Sequence, residues 1–486
     1  MTQVASQPVT LSQGSLGRID LPEPSTPPRP AGSALDLIGN TPMIEVRNID
    51  TGPCRLFLKL ESWNPGNSIK DRIALSMIEA AERDGYLQPG GTIVEATAGN
   101  TGLALAQVGV LKGYRILLVV PDKMAREKVQ HLRALGVDVR ITRSDVGKGH
   151  PDYYQDMAER LAQSIPGGFF VNQFANPANP EAHERSTGPE IFEQMDGDVD
   201  AVVVGVGSGG TLTGLGRYFG TASPKTRMVL ADPVGSILAH YVETGGELIE
   251  AGSWTVEGIG EDFIPTNAEM KWVRCAYSIS DRESVDAARL LLMREGVLGG
   301  SSSGTLLAAA LRFCREQTEP KRVVTFVCDS GTKYLSKVYN DYWLAEQGLA
   351  DRTITGTLAD LITRRFEQGG VVSISPDDTL NTAFNRMRSA DVSQLPVVQD
   401  GRLVGIVDES DIVHVMDTDE ITRAERFKKP VSSAMTRDLD TLQVTEPLDA
   451  LIPIFDRDRV AIVLDSDRFV GLITRVDLIN HLRLNA

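Results

Sequence analysis

Residues 64–72 read Asn-Pro-Gly-Asn-Ser-Ile-Lys-Asp-Arg, and the rest of the chain is organised around this stretch. Its proline and glycine favour a turn, and the residues that follow predict a helix over 73–83, capped by Asn67 or Ser68. Lys70 is thereby expected in the first helical turn, where the helix dipole already carries positive charge. An ammonium at this point is pushed toward the neutral amine, which is the form that condenses with an aldehyde.

The composition is that of an ordinary globular protein. The chain has 486 residues, of which 42% are hydrophobic. Its net charge of -16 argues against a nucleic-acid partner, because binding to phosphates needs clustered basic residues. No apolar run is long enough to cross a bilayer, and residues 1–33 are predicted to be a disordered tail. The four cysteines and six histidines form no redox or metal-binding spacing. We therefore expect a reduced, cytoplasmic protein without a metal site.

The first two thirds of the chain alternate between apolar strand patterns and helix patterns. Strands are predicted at 92–96, 115–120, 137–141, 201–206, 228–231 and 323–327, and helices at 103–111, 124–135, 153–164 and 306–314. The strands are continuously apolar, as in parallel sheets that are covered on both faces. This alternation predicts a doubly wound α/β fold, whose ligands lie where loops leave the carboxyl ends of the strands.

A shorter unit then occurs twice. The stretch Leu-Val-Gly-Ile-Val-Asp-Glu-Ser-Asp-Ile-Val at 403–413 aligns with Phe-Val-Gly-Leu-Ile-Thr-Arg-Val-Asp-Leu-Ile at 469–479. Repeats of this size are expected to pack against one another, because neither buries its apolar face alone. The predicted divisions are a tail 1–33, a core 34–346, a linker 347–357, a first repeat 358–416, a linker 417–430 and a second repeat 431–486.

Three loops of the core have the composition of ligand sites. The loop 97–102 reads Thr-Ala-Gly-Asn-Thr-Gly, and the helix start that follows it suits a carboxylate. The loop 205–214 is rich in glycine and hydroxyl groups, which suits a phosphate. Its glycines, with Asp232 at the end of the next strand, also satisfy the dinucleotide fingerprint, so a nicotinamide enzyme remains an alternative at this point. The loop 296–305 presents three serines, one of which can reach a ring nitrogen.

Together these motifs resemble a known family. Asn-Pro-Gly-Asn-Ser-Ile-Lys-Asp-Arg at 64–72, Glu-Ala-Thr-Ala-Gly-Asn-Thr-Gly at 95–102, Asn-Gln-Phe-Ala-Asn-Pro-Ala-Asn-Pro at 172–180 and Gly-Ser-Gly-Gly-Thr at 207–211 are similar to the fold-type II pyridoxal phosphate enzymes of β-substitution. These are the cysteine synthases and cystathionine beta-synthases. The resemblance implies a core of two doubly wound α/β subdomains with the cofactor in the cleft between them. The tail resembles an α+β pair of CBS domains, which are ligand-binding or oligomerising modules.

The resemblance also implies roles for individual residues. Lys70 would hold the cofactor aldehyde and move the α-proton, and Asn100 would contact the ring hydroxyl. The phosphate would be bound by Gly207, Ser208, Gly209, Gly210 and Thr211, and the substrate carboxylate by Thr97, Ala98, Thr101 and Gln173. Ser302 would face the ring nitrogen, with Ser301 as the alternative in the serine run. A neutral hydroxyl there is expected to leave the nitrogen unprotonated and to favour prompt loss of the β-substituent.

Three features favour the cystathionine beta-synthase branch. The loop 256–265 contains Glu261, which is expected to meet the ammonium of homocysteine. The stretch 329–343 resembles the end of that branch's core, and the paired tail is ordinarily missing from cysteine synthases. The implied reaction joins L-serine and L-homocysteine to give L-cystathionine and water, with hydrogen sulfide release from cysteine as a side reaction. A cysteine synthase that uses O-acetylserine and sulfide is the alternative within the class. A third possible function is that of a catalytically idle ligand sensor, in which only the repeats bind a ligand.

The remaining expectations concern accessory ligands and assembly. No cysteine precedes Cys54 and no histidine precedes His131, so we predict no haem of the kind bound by the animal enzymes. The second repeat keeps Thr474 and Asp477, a pattern that binds a ribose in CBS domains. The resemblance therefore implies one nucleoside-type site there, which leaves S-adenosylmethionine, an adenine nucleotide and no ligand as the alternatives. A simple dimerisation tail is the alternative, and the family implies at least a homodimer.

Overall fold

The computed structural model describes residues 30–97, 99–122, 124, 126–147, 149–350, 355–416 and 422–484. The predicted disordered tail therefore lies almost wholly outside the described residues, and so do Ala98 and part of each predicted linker.

A mixed sheet of six strands forms the larger half of the core. Its strands are β1 (Met43–Glu45), β2 (Arg55–Lys59), β7 (Ala201–Gly205), β8 (Arg227–Pro233), β9 (Val273–Ile279) and β10 (Arg322–Phe326), in the spatial order β1-β2-β10-β7-β8-β9. Only β1 runs antiparallel to its neighbour; the other pairs are parallel. The central strand β7 reads Ala-Val-Val-Val-Gly and is buried over its first four residues, as expected for a sheet covered on both faces.

A parallel sheet of four strands forms the smaller half. Its strands are β3 (Thr92–Ala96), β4 (Arg115–Pro121), β5 (Asp138–Thr142) and β6 (Gly168–Phe170), in the order β5-β4-β3-β6. Ile93 and Leu118 belong to the apolar cluster on one face, and Val94 and Val119 to the cluster on the other. This alternation explains why the central strands β3 and β4 carry apolar side chains toward both faces of the sheet.

Helices cover both sheets. They are α1 (Lys70–Arg83), α2 (Asn100–Leu111), α3 (Arg126–Ala134), α4 (Tyr154–Ser164), α5 (Ala178–Ala182), α6 (Gly188–Gln194), α7 (Gly210–Ala222), α8 (Leu238–Thr244), α9 (Asp281–Glu295), α10 (Ser301–Arg315) and α11 (Asp341–Glu346). The predicted doubly wound α/β core is confirmed. The predicted strands and helices of the core are all present, and their ends lie no more than five residues from the expected ones.

The start of α1 differs from the prediction. The helix begins at Lys70, and Ile69 occupies the capping position without a side-chain hydrogen bond. The expected cap at Asn67 is wrong, because this residue has a φ of 59° and belongs to the preceding turn. The Ser68 hydroxyl accepts a hydrogen bond from the Lys70 amide over 3.3 Å. The main-chain amide of Ile69 donates a hydrogen bond to the Cys328 carbonyl over 2.8 Å. This bond connects the helix start to the segment after β10.

The tail contains two small α+β units. The first pairs β11 (Gln394–Gln399) with β12 (Arg402–Asp408), and the second contains β13 (Thr441–Gln443), β14 (Ala461–Asp465) and β15 (Arg468–Ile473). Their helices are α12 (Leu380–Ala390), α13 (Glu409–Met416), α14 (Arg423–Arg426), α15 (Ile452–Phe455) and α16 (Arg475–Leu484). The predicted equivalence of the repeats holds at the strand–helix joint: β12 leads into α13 as β15 leads into α16.

The described part of the chain contains neither a membrane-spanning helix nor a metal-binding cluster. No helix there is both long and apolar enough to cross a membrane. No cluster of three or more histidine, cysteine, aspartate or glutamate residues with the arrangement of a metal site occurs there either.

Candidate active site

A cleft lies at the carboxyl ends of the core strands, where the predicted ligand loops converge. It has a volume of about 530 Å³, including the part that is open to solvent. Its lining brings together eight residues that the sequence predicted as cofactor ligands: Lys70, Asn100, Gly207, Ser208, Gly209, Gly210, Thr211 and Ser302. These residues come from four separate segments of the chain, so their meeting in one cleft is a property of the fold.

Lys70 is the first residue of α1 and points into this cleft. Burial lowers the pKa of its amine, and the neighbouring groups of Cys328, Asp329 and Glu261 act in the opposite direction. The main physical cause is thus desolvation of the ammonium, whereas the sequence argument relied on the helix dipole. The chemical consequence is the same, since both effects favour the neutral, nucleophilic amine.

The glycine turn after β7 leaves no room for side chains. Gly209 adopts a φ of 86°, in the region that favours glycine. A Cβ at Gly207 would lie 2.6 Å from the Gly258 carbonyl oxygen, and one at Gly210 only 1.8 Å from Oδ1 of Asn179. The turn leads directly into α7, whose first N–H groups and positive dipole end favour an anion. This bare backbone at a helix start is the geometry that a phosphate requires.

The three consecutive serines of the loop, residues 301–303, have different surroundings. The Ser301 hydroxyl accepts a hydrogen bond from the Glu257 amide over 3.1 Å, and the Ser303 hydroxyl accepts one from the Cys328 amide over 3.0 Å. Ser302, in contrast, lines the cleft. Of the two serines that the sequence left open, Ser302 is therefore the one available to a ligand in the cleft.

The loop after β3 lies beside the segment after β6. Thr101 donates a hydrogen bond from Oγ1 to Oε1 of Gln173 over 2.7 Å, so two of the predicted carboxylate ligands are in direct contact. The Thr97 hydroxyl accepts from the Gly99 amide over 3.2 Å. Beneath them, the buried Glu95 accepts hydrogen bonds from the amides of Ala96 and Gln173, and burial raises its pKa to about 8. Ala98 lies outside the described residues.

Glu261 lies near the glycine turn and near Lys70. A Cβ at Gly207 would be 3.8 Å from its Oε1, and Lys70 is close enough to counteract the effect of burial on its carboxyl. Burial raises the pKa of Glu261 well above its ordinary value, and Asp262 adds to this rise. Burial therefore opposes the negative charge that the sequence suggested for Glu261, and a nearby cation such as that of Lys70 favours it.

Asp232, the acidic residue of the nicotinamide alternative, has a structural role. It is completely buried at the end of β8, and its Oδ2 accepts a hydrogen bond from the Ala239 amide at the start of α8 over 2.8 Å. Burial raises its pKa to about 6. The carboxyl therefore faces the start of α8, which removes the residue expected to bind a ribose in that alternative.

Four residues with polar contacts in or beside the cleft were missed as functional residues in the sequence. They are Asn179, Cys328, Asp329 and Lys333. Asn179 belongs to the quoted motif 172–180, and Asp329 and Lys333 to the quoted stretch 329–343, so the signal was present. For Asp329 and Lys333, spacing alone gives no reason to connect them with Asn100, which lies more than two hundred residues away.

In the tail, the two repeats differ at the joint between strand and helix. The Thr474 amide and hydroxyl both donate to Oδ2 of Asp477, each over 2.7 Å. In the first repeat, Asp408 and Asp411 bind each other's main-chain amides over 3.0 and 2.8 Å. The second joint thus presents a hydroxyl and one carboxylate, whereas the first presents two carboxyl groups.

Comparison with known proteins identifies the modules. Residues 34–329 match the family model described as pyridoxal-phosphate dependent enzyme, and residues 359–418 and 431–484 match the CBS domain. The chain is 33% identical over 469 residues to cystathionine beta-synthase of Apis mellifera, with 93% of this chain and 90% of the relative covered. It is also 33% identical over 496 residues to that of Saccharomyces cerevisiae, with 93% and 97% covered.

The chain belongs to the cystathionine beta-synthase family of pyridoxal-phosphate dependent enzymes. The predicted cofactor, fold type and CBS pair are thereby confirmed, and the nicotinamide alternative is excluded.

Two further relatives cover the core. Cysteine synthase A of Escherichia coli (strain K12) is 41% identical over 303 residues, which are 62% of this chain and 92% of that one. The crystal structure of a hydrogen sulfide-producing enzyme from Fusobacterium nucleatum has a TM-score of 0.59 and 34% identity, and the match covers 63% of this chain and all of that one. The core is therefore similar to enzymes that are named for different activities.

The residues of the cleft fit pyridoxal phosphate on structural grounds alone. A turn without room for a Cβ suits the phosphate, a buried amine with a lowered pKa suits the aldehyde, and a serine in the cleft suits the ring nitrogen. These three elements lie around the lining of one cleft.

Proposed function

We propose that the protein condenses L-serine with L-homocysteine to L-cystathionine and water, with hydrogen sulfide release from cysteine as a side reaction. One observation carries the proposal: the similarity to the cystathionine beta-synthases extends through the core and both CBS domains, over 93% of this chain. The cysteine synthase match ends with the core.

Pyridoxal phosphate, when bound, supplies an electron-withdrawing ring that makes the α-proton of an amino acid acidic. In this proposal the cofactor aldehyde is held by Lys70, the ring oxygen by Asn100 and the ring nitrogen by Ser302. The phosphate is bound by Gly207, Ser208, Gly209, Gly210 and Thr211. Their shared position along the cleft supports the assignment.

Lys70 is proposed as the catalytic base and acid. Once the amino group of serine has displaced Lys70 from the cofactor aldehyde, the freed amine would accept the α-proton of serine, and the resulting ammonium would return a proton at the end of the cycle. The lowered pKa supports this role, because an amine with the ordinary pKa of lysine would stay protonated at neutral pH. The Ser302 hydroxyl leaves the ring nitrogen unprotonated, which favours loss of the serine hydroxyl over accumulation of negative charge on the α-carbon.

Thr97, Ala98, Thr101 and Gln173 are proposed to bind the carboxylate of serine. The contact between Thr101 and Gln173 supports this, because it orients a hydroxyl and an amide toward the same region. The helix start at Asn100 adds N–H groups and a favourable dipole for an anion.

Glu261 is proposed to bind the ammonium of homocysteine. A buried carboxyl with a raised pKa becomes charged more easily when a cation lies beside it. Glu261 therefore favours a substrate that carries an ammonium group. Glu261→Gln is expected to raise KM for homocysteine by about tenfold, the value of a charged hydrogen bond, and to leave KM for serine unchanged. An equal loss for both substrates would contradict this assignment.

A cysteine synthase that uses O-acetylserine and sulfide is the second candidate, and the 41% identity to cysteine synthase A favours it within the core. Steady-state assays of serine and O-acetylserine, each with homocysteine and with sulfide, separate the two. The main proposal predicts the highest kcat/KM for serine with homocysteine. Efficient turnover confined to O-acetylserine with sulfide would overturn it.

The CBS pair is proposed to bind S-adenosylmethionine or an adenine nucleotide beside Thr474 and Asp477. The hydroxyl and carboxylate of this joint suit a ribose, whereas Asp408 in the first repeat would repel a phosphate. Calorimetric titration of the full-length protein with each adenosine ligand is expected to give one site per chain, lost in Thr474→Val. A tail that only dimerises would give no heat with any of them.

The remaining expectations stay proposals. They are a homodimer or higher homo-oligomer, a cytoplasmic location, absence of haem, and the domain divisions 1–33, 34–346, 347–357, 358–416, 417–430 and 431–486. The four cysteines are free thiols, which agrees with a reducing compartment. A Soret band in the purified protein would contradict the haem prediction.

A further inference from the structure

The side-chain amide of Asn100 is held at both ends by charged partners. Its Nδ2 donates a hydrogen bond to Oδ2 of Asp329 over 2.7 Å, and its Oδ1 accepts one from Nζ of Lys333 over 2.8 Å. Both partners come from the segment after β10, while Asn100 begins α2 in the other half of the core. We call Asp329 and Lys333 the amide clamp.

The clamp fixes which way the amide faces. In the opposite orientation, the amide oxygen would meet the carboxylate of Asp329 and the amide nitrogen would meet the ammonium of Lys333, so both contacts would be repulsive. Nδ2 carries two hydrogens, and Asp329 takes one of them. The second N–H lies beside the Tyr334 hydroxyl, and because Asn100 lines the cleft it is the N–H that remains to reach a ligand there.

We infer that Asp329 and Lys333 are positioning residues that make Asn100 an obligatory hydrogen-bond donor to the ring oxygen of the cofactor. This inference rests on the proposed place of Asn100 beside that oxygen. A donor at this point favours the deprotonated ring oxygen, since hydrogen bonding to a charged form stabilises it. An acceptor would favour the protonated one.

The clamp is itself rigidly built. Asp329 is completely buried, and its Oδ2 also accepts a hydrogen bond from the Tyr334 hydroxyl over 2.7 Å. Gly300 provides the space, because a Cβ there would lie 2.0 Å from Oδ1 of Asp329. An aspartate so confined has no freedom to turn away from Asn100.

Lys333 is held equally firmly. Besides Oδ1 of Asn100, its Nζ donates to the carbonyl oxygens of Gly66 and Asn67 over 3.2 and 3.3 Å. Its three N–H donors therefore have three acceptors, and two of these belong to the turn that precedes Lys70. The clamp thus fixes the donor for the ring oxygen relative to the helix start that carries the proposed base.

The test compares Lys333→Met and Asp329→Asn with Lys337→Met in the holoenzyme. Lys337 is a matched control, because it lies on the same segment but donates to Glu257 over 2.6 Å. Both clamp variants are expected to move cofactor absorbance from the visible edge to shorter wavelength and to weaken cofactor binding by about tenfold. Lys337→Met is expected to keep the wild-type spectrum. An unchanged spectrum in Lys333→Met, which removes only one partly exposed side chain, would overturn the inference.

A double-mutant cycle distinguishes positioning from general stability. If the clamp acts through Asn100, Lys333→Met in an Asn100→Ala background is expected to add no further spectral change. Full additivity of the two changes would contradict the clamp. Failure of the proposed function would look different, since a protein without bound cofactor would show no visible-edge band in any variant.

Discussion

Asn179 donates a hydrogen bond from its side-chain amide to the Ser208 hydroxyl over 2.9 Å, and through the same nitrogen it donates to the Gln173 carbonyl over 2.8 Å. The buried amide therefore joins the glycine turn to the segment of a proposed carboxylate ligand. One side chain thus sets the distance between the places where phosphate and substrate are expected to bind.

Gly210→Ala is expected to weaken cofactor binding sharply, because the new Cβ would lie 1.8 Å from Oδ1 of Asn179. Overpacking of this kind typically costs about 1–3 kcal/mol, which corresponds to a loss of about 5- to 150-fold in cofactor affinity. Titration of the apoenzyme with pyridoxal phosphate measures the change. Gly147→Ala is the control, since a Cβ there meets nothing within 4 Å, and equal losses in both variants would contradict the proposed phosphate turn.

The two neighbouring serines are expected to behave differently. Ser302→Ala should lower kcat by about tenfold through loss of one hydrogen bond to the ring nitrogen, and Ser302→Asp should lower it further by protonating that nitrogen. Ser301→Ala should leave the cofactor spectrum unchanged, because the Ser301 hydroxyl binds the Glu257 amide. Steady-state rates and spectra of the three variants check this. A larger spectral change in Ser301→Ala would assign the ring nitrogen to Ser301.

Thr101→Val removes the hydroxyl that donates to Gln173 over 2.7 Å and keeps the shape of the side chain. We expect KM for serine to rise about fivefold, the value of one neutral hydrogen bond, with an unchanged cofactor spectrum. Thr305→Val is the matched control, because Thr305 is also buried but is hydrogen-bonded to Ser284 over 2.8 Å. An unchanged KM for serine in Thr101→Val would remove this residue from the carboxylate site.

Glu95 should make stability depend on pH. Burial raises its pKa from 4.5 to about 8 in the folded chain, so its contribution to stability is complete below the unfolded pKa. As pH rises from 4.5 to about 8, the unfolded carboxyl ionises more easily than the folded one, and the free energy of unfolding falls. Glu95→Gln removes this term, so the thermal stability of wild type should fall more steeply than that of the variant over this range. If the melting temperatures of wild type and Glu95→Gln changed equally with pH over this range, the raised pKa would be contradicted.

The sequence predicted the elements whose pattern is local. The apolar strands 92–96 and 201–206 appear within one residue of the expected positions, because burial on both faces imposes a continuous apolar run. The glycine turn was predicted as a phosphate site from its lack of side chains. The predicted cap of α1 at Asn67 was wrong, because the helix begins after Ile69, whose amide donates a hydrogen bond to the distant Cys328 carbonyl.

The long-range contacts could not be predicted. Asp329 and Lys333 follow β10, and their contact with Asn100 depends on two sheets meeting at their carboxyl ends, a relation that no spacing in the sequence encodes. The contact of Asp232 could not be predicted either. An acidic residue at the end of a strand fits the pattern of a residue that binds a ribose, but only the fold shows that this carboxyl faces α8. Burial also changed the expectation for Glu261, whose charge the composition of its loop could not set.

The central claim is that Lys70 holds the cofactor aldehyde. Reduction of the holoenzyme with borohydride, followed by peptide mass mapping, tests it most directly, because reduction fixes the cofactor on the lysine that carries it. The account predicts a single modified peptide that contains Lys70, and no modification in the Lys70→Ala variant. Modification at another lysine, such as the buried Lys59 or the partly exposed Lys333, or at none, would contradict it.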